Sequence, residues 1–163
     1  MSQIHLYDNF LEEEKFKEIQ DTLLGRFFPW FYADRVNYME YTSKWEYQFT
    51  HVFYADNLPN SEHFDLLIPY IDKLQPKSLI RIKANLLTRS EKTIEHGYHS
   101  DQSFDCKTAI AYINTNNGYT VFEDGQKVMS KENRLIMFDN SVKHSGSTCS
   151  DQKTRVIINF NYF

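Results

Sequence analysis

Apolar positions change their spacing partway along the chain. In the first 77 residues two stretches repeat at helical period: Phe16, Ile19 and Leu23 within LEEEKFKEIQDTLLG, and Phe64, Leu67, Ile68, Ile71 and Leu74 within EHFDLLIPYIDKL. Asp8 and Asn9 stand where the first helix would be capped, and Gly25 where it would end. Pro69 is expected to split or kink the second helix. IHLY, FFPWFYADRV and WEYQFTHVFYAD read as strands around these helices. From Ser78 onward β-branched and aromatic residues dominate short runs broken by Asn, Gly, Asp and Ser: SLIRIKANLLT, KTAIAYINT, YTVFED, QKVMS, RLIMF, VKHSG and TRVIINFNY. That pattern predicts an antiparallel β-sandwich. The expected architecture is mainly β with flanking helices: one domain over 1–163, in which helical and strand support (1–77) packs on one side of a distorted jelly-roll core (78–163). No linker, internal repeat or low-complexity tract interrupts it.

Composition agrees with a single domain that buries its own core, since 41% of the 163 residues are hydrophobic and 16% aromatic. A net charge of −4, with no cluster of five or more Lys or Arg, disfavours a nucleic-acid partner and an anionic membrane surface. A peptide, protein or small-molecule partner fits better. The opening MSQIHLYDNF lacks the basic and apolar regions of a secretory signal, and no run reaches the roughly 18 apolar residues of a membrane span, so a cytoplasmic location is expected. The two cysteines, Cys106 and Cys149, have no zinc-ligand spacing and are read as reduced thiols.

Chemistry concentrates in the β-rich half. His99 and Asp101 are two apart, so both side chains leave the same side of an extended segment. His144 follows the strand RLIMF in a loop that a sheet fold can return beside that pair. Two imidazoles and one carboxylate can hold one face of an iron(II) ion and leave the opposite face open. An H-x-D pair alone is weak evidence, and a lone histidine in FDNSVKHSG would ordinarily be solvated; the combination is what carries the reading. In TRVIINFNY, alternation sends Arg155, Ile157 and Asn159 to one face and Val156, Ile158 and Phe160 to the other. The second face is core, so the first lines the barrel. A guanidinium there is costly unless paired, and no acidic residue lies close in sequence; a carboxylate-bearing co-substrate would supply the partner. Tyr112 in AIAYIN shares its side with Thr108 and Ile110, within reach of the same carboxylate. His96, three positions before His99, faces away on an extended strand, and His5, His51 and His63 read as ordinary surface or half-buried residues. Arg35, Tyr41 and Trp45 are candidates for gripping substrate if the mouth of the site lies beside their aromatic segment.

These residues resemble a known family. HSD, TAIAYIN, GYTVFEDGQKVMSKENRLIMFDNSVKHSG and TRVIINFNY, in that order over about half the chain, look like the 2-oxoglutarate and Fe(II)-dependent dioxygenases, in the prolyl 4-hydroxylase-like subgroup with its small phage-encoded members. The resemblance implies a double-stranded β-helix, a cupin-like jelly roll. It makes His99, Asp101 and His144 the iron ligands, and Arg155 the holder of the distal carboxylate of 2-oxoglutarate, with Tyr112 assisting and Asn85 near the co-substrate. It implies hydroxylation of a C–H bond with O2, giving succinate and CO2, on a peptide or protein residue such as proline, in the host cytoplasm for a phage-encoded member. A small metabolite or nucleobase substrate, or a non-catalytic jelly-roll binding module, are the alternatives. Three positions depart from the pattern. Leu87 stands where many relatives carry tyrosine, the segment between Asn85 and His99 is long, with Arg89, His96 and Tyr98 as loop contacts, and Asn117 replaces the first of two glycines, where it would tolerate a positive φ.

Overall fold

A computed structural model describes residues 3–37, 44 and 46–163. The supporting half runs β1 (His5–Tyr7), α1 (Glu13–Leu23), β2 (Phe31–Ala33), β3 (Gln48–Ala55), β4 (Leu58–Pro59), a 3₁₀ turn (Phe64–Leu67) and α2 (Ile68–Leu74). Seven further strands follow: β5 (Leu79–Thr88), β6 (Lys107–Tyr112), β7 (Tyr119–Phe122), β8 (Lys127–Met129), β9 (Arg134–Asp139), β10 (His144–Gly146) and β11 (Thr154–Tyr162). The short β4, which pairs with the end of β3, has no counterpart in the sequence reading; its Pro59 sits where an edge strand tolerates a missing donor.

α1 forms because Phe16, Ile19, Gln20 and Leu23 recur on one face, and Glu13 and Glu14 place negative charge in its first turn. The expected caps are corrected. Glu12 occupies the cap position without a side-chain bond. Asp8 is instead drawn 2.7 Å from Arg134 and 3.1 Å from Lys131, and Asn9 turns the chain with φ 51°. Gly25 does end the helix: a Cβ there would lie 2.8 Å from the Asp21 carbonyl oxygen. The second helical stretch breaks between Leu67 and Ile68, which leaves Pro69 in the first turn of α2, where its missing N–H costs nothing.

The strands form two antiparallel sheets. The larger has the order β1-β9-β6-β11-β5-β3-β2, with β4 on β3, and the smaller the order β10-β7-β8. This is the jelly roll expected from the strand pattern. β11 lies at the centre of the larger sheet and sorts its side chains strictly. Val156, Ile158, Phe160 and Tyr162 face outward and join Phe16, Ile19, Leu23, Leu67 and Tyr70 of the helical layer in the main core. Each such burial contributes about 1.5–3 kcal/mol, which makes that face's register costly to slip. A second cluster, with Ile110, Tyr112, Phe122, Ile136, Phe138 and Ile157, fills the space between the sheets. Apart from Leu87, the rest of the inner face of β11 and β5 is polar, and that is where the site lies.

Candidate active site

The inner face of the large sheet is a set of rows fixed by strand register. Asn161 of β11 pairs with Arg81 of β5 and Thr108 of β6; Asn159 with Lys83 and Ile110; Ile157 with Asn85 and Tyr112; Arg155 with Leu87. Among the described residues, this floor and the facing segments line one cavity that contains His99, Asp101, His144 and Arg155 together.

The two histidines meet across a backbone bridge. The His99 N–H donates to the His144 carbonyl at 2.9 Å and the His144 N–H returns the bond at 3.0 Å, so the rings stand 4.7 Å apart. Asp101 Oδ1 lies 3.5 Å from His99 Nε2 and 3.8 Å from His144 Nε2. One ligand atom from each residue falls within 4.8 Å of the others, a separation that a single ion can bridge. The surroundings aim these atoms. His99 Nδ1 donates to the Gly97 carbonyl at 3.3 Å, which leaves the lone pair on Nε2. Asp101 Oδ2 accepts from Asn161 Nδ2 at 3.0 Å, which leaves Oδ1 for the ion, and Arg81 Nη2 stands 3.9 Å from that oxygen. Phe138 meets the His144 ring edge-on at 5.0 Å.

The charge states suit a cation. Burial holds the His144 pKa down at about 4, so the ring is neutral and free to ligate at pH 7. Burial works against ionisation of Asp101, but the Arg81 guanidinium and the Asn161 amide favour the carboxylate, and its carboxyl stays well below the usual range. His96 is also pushed down to about 4 by burial. Both histidines titrate near 6.5 when unfolded, so the unfolded chain binds more protons between about pH 6.5 and 4. Their contribution is complete above pH 6.5 and is lost as pH falls toward 4. The metal-free protein is therefore expected to lose several degrees of Tm across that window, more steeply than the His96→Phe variant; a flat profile in thermal melts would contradict neutral burial of these rings.

Arg155 is 1% exposed, and no carboxylate among the described residues lies within ion-pair distance of it. Its Nε donates to Ser130 Oγ at 2.8 Å and its Nη2 to Thr120 Oγ1 at 3.2 Å, while Nη1 has no partner. Gly118 makes room for the side chain, since a Cβ there would lie 2.5 Å from Arg155 Cδ. Neither Gly118 nor Asn117 has a positive φ, so close approach and not backbone freedom is what the glycine supplies, and the expected role of Asn117 is corrected. Tyr112 is fully buried beside Arg155, its ring 5.7 Å from the guanidinium, but it does not line the cavity: its hydroxyl donates to Thr120 Oγ1 at 2.8 Å. Thr120 thus accepts twice, and its own hydrogen is left for an acceptor in the cavity. Asn85 does line the cavity and its Oδ1 is unpartnered.

Other sequence candidates fall outside. His96 is buried with its Nδ1 4.0 Å from Glu46 and takes no place in the His–Asp–His group. His51, expected to be an ordinary surface or half-buried residue, is buried and bonded to Pro29 O and Ser61 Oγ, each at 2.7 Å. Arg35 is exposed and reaches Asp34 at 3.3 Å, although its neighbours Val36 and Asn37 do border the cavity. Tyr41 and Trp45 lie outside the described residues. Cys106 and Cys149 are free and buried. The residues missed by sequence reasoning are Thr120 and Ser130, which hold Arg155, Asn161, which orients Asp101, and Arg81 and Lys83. The last two were signalled by R-x-K-x-N in β5, whose alternation matches that of β11.

No family model matches the sequence, and no curated protein matches it. Solved structures do match in fold. A prolyl hydroxylase from Trichoplax adhaerens, in complex with a hypoxia-inducible-factor oxygen degradation domain peptide fragment, superposes with a TM-score of 0.73 at 15% identity, covering 100% of this chain and 84% of that one. A Pseudomonas putida prolyl-4-hydroxylase gives 0.64 at 11%, covering 99% and 93%. The non-haem α-ketoglutarate-dependent epimerase SnoN from nogalamycin biosynthesis gives 0.70 at 12%, covering 99% and 78%. At these identities the likeness establishes the fold, the double-stranded β-helix that 2-oxoglutarate oxygenases share. No helix among the described residues is long and apolar enough to cross a membrane.

Proposed function

We propose that this protein is an Fe(II)- and 2-oxoglutarate-dependent dioxygenase that hydroxylates a C–H bond. The observation that carries the reading is the presence, in one cavity, of a His–Asp–His ligand set and a buried guanidinium with no carboxylate of the described residues within ion-pair distance. A metal-binding module would need the first and gain nothing from the second. Iron(II) with 2-oxoglutarate and O2 supplies the oxidising power for such a hydroxylation, with succinate and CO2 as co-products.

The residues of the chain bind and orient. His99 and His144 would offer Nε2 as neutral imidazoles and Asp101 would offer Oδ1, a three-residue set that would leave an iron ion further positions for exchangeable ligands. Arg155 holds the distal carboxylate through Nη1, with the Thr120 hydroxyl as a second donor; Tyr112 and Ser130 fix those two groups in place. Tyr112 is therefore a positioning residue for the co-substrate. Asn85 sits between Arg155 and the ligand set on the cavity floor, next to where the co-substrate would lie. The prolyl hydroxylases among the structural neighbours make proline, free or within a peptide, the first substrate to test, and SnoN is a reminder that reaction outcome varies on this fold.

The test is anaerobic addition of Fe(II) and then 2-oxoglutarate to the purified protein. A visible absorption band of the chelate, absent with either component alone, is the expected result. A folded protein that binds Fe(II) without forming the band would reject the co-substrate assignment.

A further inference from the structure

The cavity holds more positive charge than the proposed reaction uses. Among the described lining residues there are three cations, Arg81, Lys83 and Arg155, and one carboxylate, Asp101. This contrasts with a chain whose overall charge is −4. Arg155 and the other two sit at opposite ends of the floor. Lys83 pairs with Asn159 and Arg81 with Asn161, four and six residues along β11 from Arg155, or about 13 and 20 Å at the rise of a strand. A 2-oxoglutarate held at Arg155 and chelating the metal has both carboxylates engaged. Asp101 Oδ1, the oxygen nearest Arg81, is the one aimed at the ion. Asp101, 3.9 Å from Arg81, is then the one carboxylate among the described lining residues at the Arg81–Lys83 end, and its charge is shared with the ion; desolvating two cations against one shared anion is unfavourable.

That end is built as a binding surface. The Lys83 ammonium makes no hydrogen bond or ion pair with any described residue, although its backbone is paired in the sheet. Arg81 gives Nη2 to Asn161 Oδ1 at 3.1 Å while its Nε has no partner. Asn159, 6% exposed on the same floor, has an unpartnered Oδ1 and can accept a hydrogen bond from a ligand. A site with two cationic donors and an amide acceptor beside them matches a carboxylate with an adjacent N–H or O–H.

We infer that the substrate oxidised at this centre carries a carboxylate, held by Arg81 and Lys83, with a neighbouring N–H or O–H donor accepted by Asn159. The inference rests on the dioxygenase reading and narrows its substrate class to carboxylate-bearing molecules, free amino acids foremost. The same carboxylate chemistry occurs on an aspartyl or glutamyl side chain of a peptide, so the experiment separates the two sources.

Protein loaded with Zn(II), as an inert stand-in for Fe(II), and saturated with 2-oxoglutarate is titrated calorimetrically with L-proline and the other amino acids. Each is compared with its α-amide, and proline-containing acidic hexapeptides are compared with their Asn and Gln counterparts. At least one free acid is expected to bind ten-fold or more tightly than its amide, and Lys83→Met and Arg81→Met should each remove most of that preference while the amide's affinity stays put. Preference confined to the acidic peptides would retain the carboxylate and assign it to a side chain. Equal binding of acid and amide, a preference untouched by either substitution, or no binding by any acid while 2-oxoglutarate still binds would overturn the inference. Failure of 2-oxoglutarate itself to bind the Zn(II) protein would instead reject the dioxygenase reading beneath it.

Discussion

Replacing Arg155 with methionine is expected to weaken 2-oxoglutarate binding about a hundredfold, given that hydrogen bonds to charged groups contribute about 1.5–3 kcal/mol each and 1.4 kcal/mol is tenfold. Metal affinity should change little, because Arg155 touches none of the three candidate ligands. The guanidinium is buried with no carboxylate of the described residues beside it, so in the free protein its described neighbours are the Ser130 and Thr120 hydroxyls and the Tyr112 ring, and the incoming dicarboxylate completes the pair. Arg155→Lys should recover part of the affinity at most, since an ammonium cannot span Ser130, Thr120 and a ligand with one planar fork. Gly118→Ala provides an independent variant that keeps the charge: a Cβ 2.5 Å from Arg155 Cδ must displace the side chain, and a loss of about tenfold is expected from a shift of that kind. Calorimetric titration of the metal-loaded variants reads all three. Wild-type affinity in Arg155→Met would remove the co-substrate role from this residue, and near-UV circular dichroism distinguishes that result from misfolding.

Much of this arrangement is legible in the sequence because strands alternate. The inward set Arg155, Ile157 and Asn159 follows from the apolar outward set Val156, Ile158 and Phe160, and the i, i+2 spacing of His99 and Asp101 gives them a common side. What sequence could not supply is cross-strand register. Tyr112 alternates to the inner face as expected, yet its hydroxyl ends on Thr120, because β7 passes close enough to intercept it. Only with β7 placed does the donor facing the cavity become threonine. The same holds at Asp8, read from sequence as a possible cap but claimed by Arg134 and Lys131 from 126 and 123 residues away. Arg81 and Lys83 were in plain view, but their meaning depends on pairing β5 with β11, which sets them at the far end of the floor from Arg155.

The metal ligands carry the other large effect. His144→Ala and Asp101→Ala should each weaken Fe(II) or Co(II) binding by more than about a hundredfold, beyond the 10–100-fold that loss of a group merely orienting a ligand costs. Asn161→Leu tests the orienting case: it leaves all three ligand atoms but frees Asp101 Oδ2, so a loss within that 10–100-fold range is expected. Thermal melts give a second readout. A metal that binds only the folded state stabilises it by about 2.7 kcal/mol at a hundred times its Kd, so Co(II) should raise the Tm of the wild type and leave His144→Ala unmoved. Asp101 makes the comparison sharper. Without metal it is a buried carboxylate facing two imidazole rings and the Arg81 guanidinium, and with metal its charge is fully used. Asp101→Asn keeps the shape and the fold but offers a neutral oxygen to the ion. It should therefore melt below the metal-free wild type, having lost the attraction to Arg81, and show almost no Co(II) shift. A full shift in that variant would mean that the ion binds elsewhere, and the His–Asp–His centre would have to be abandoned.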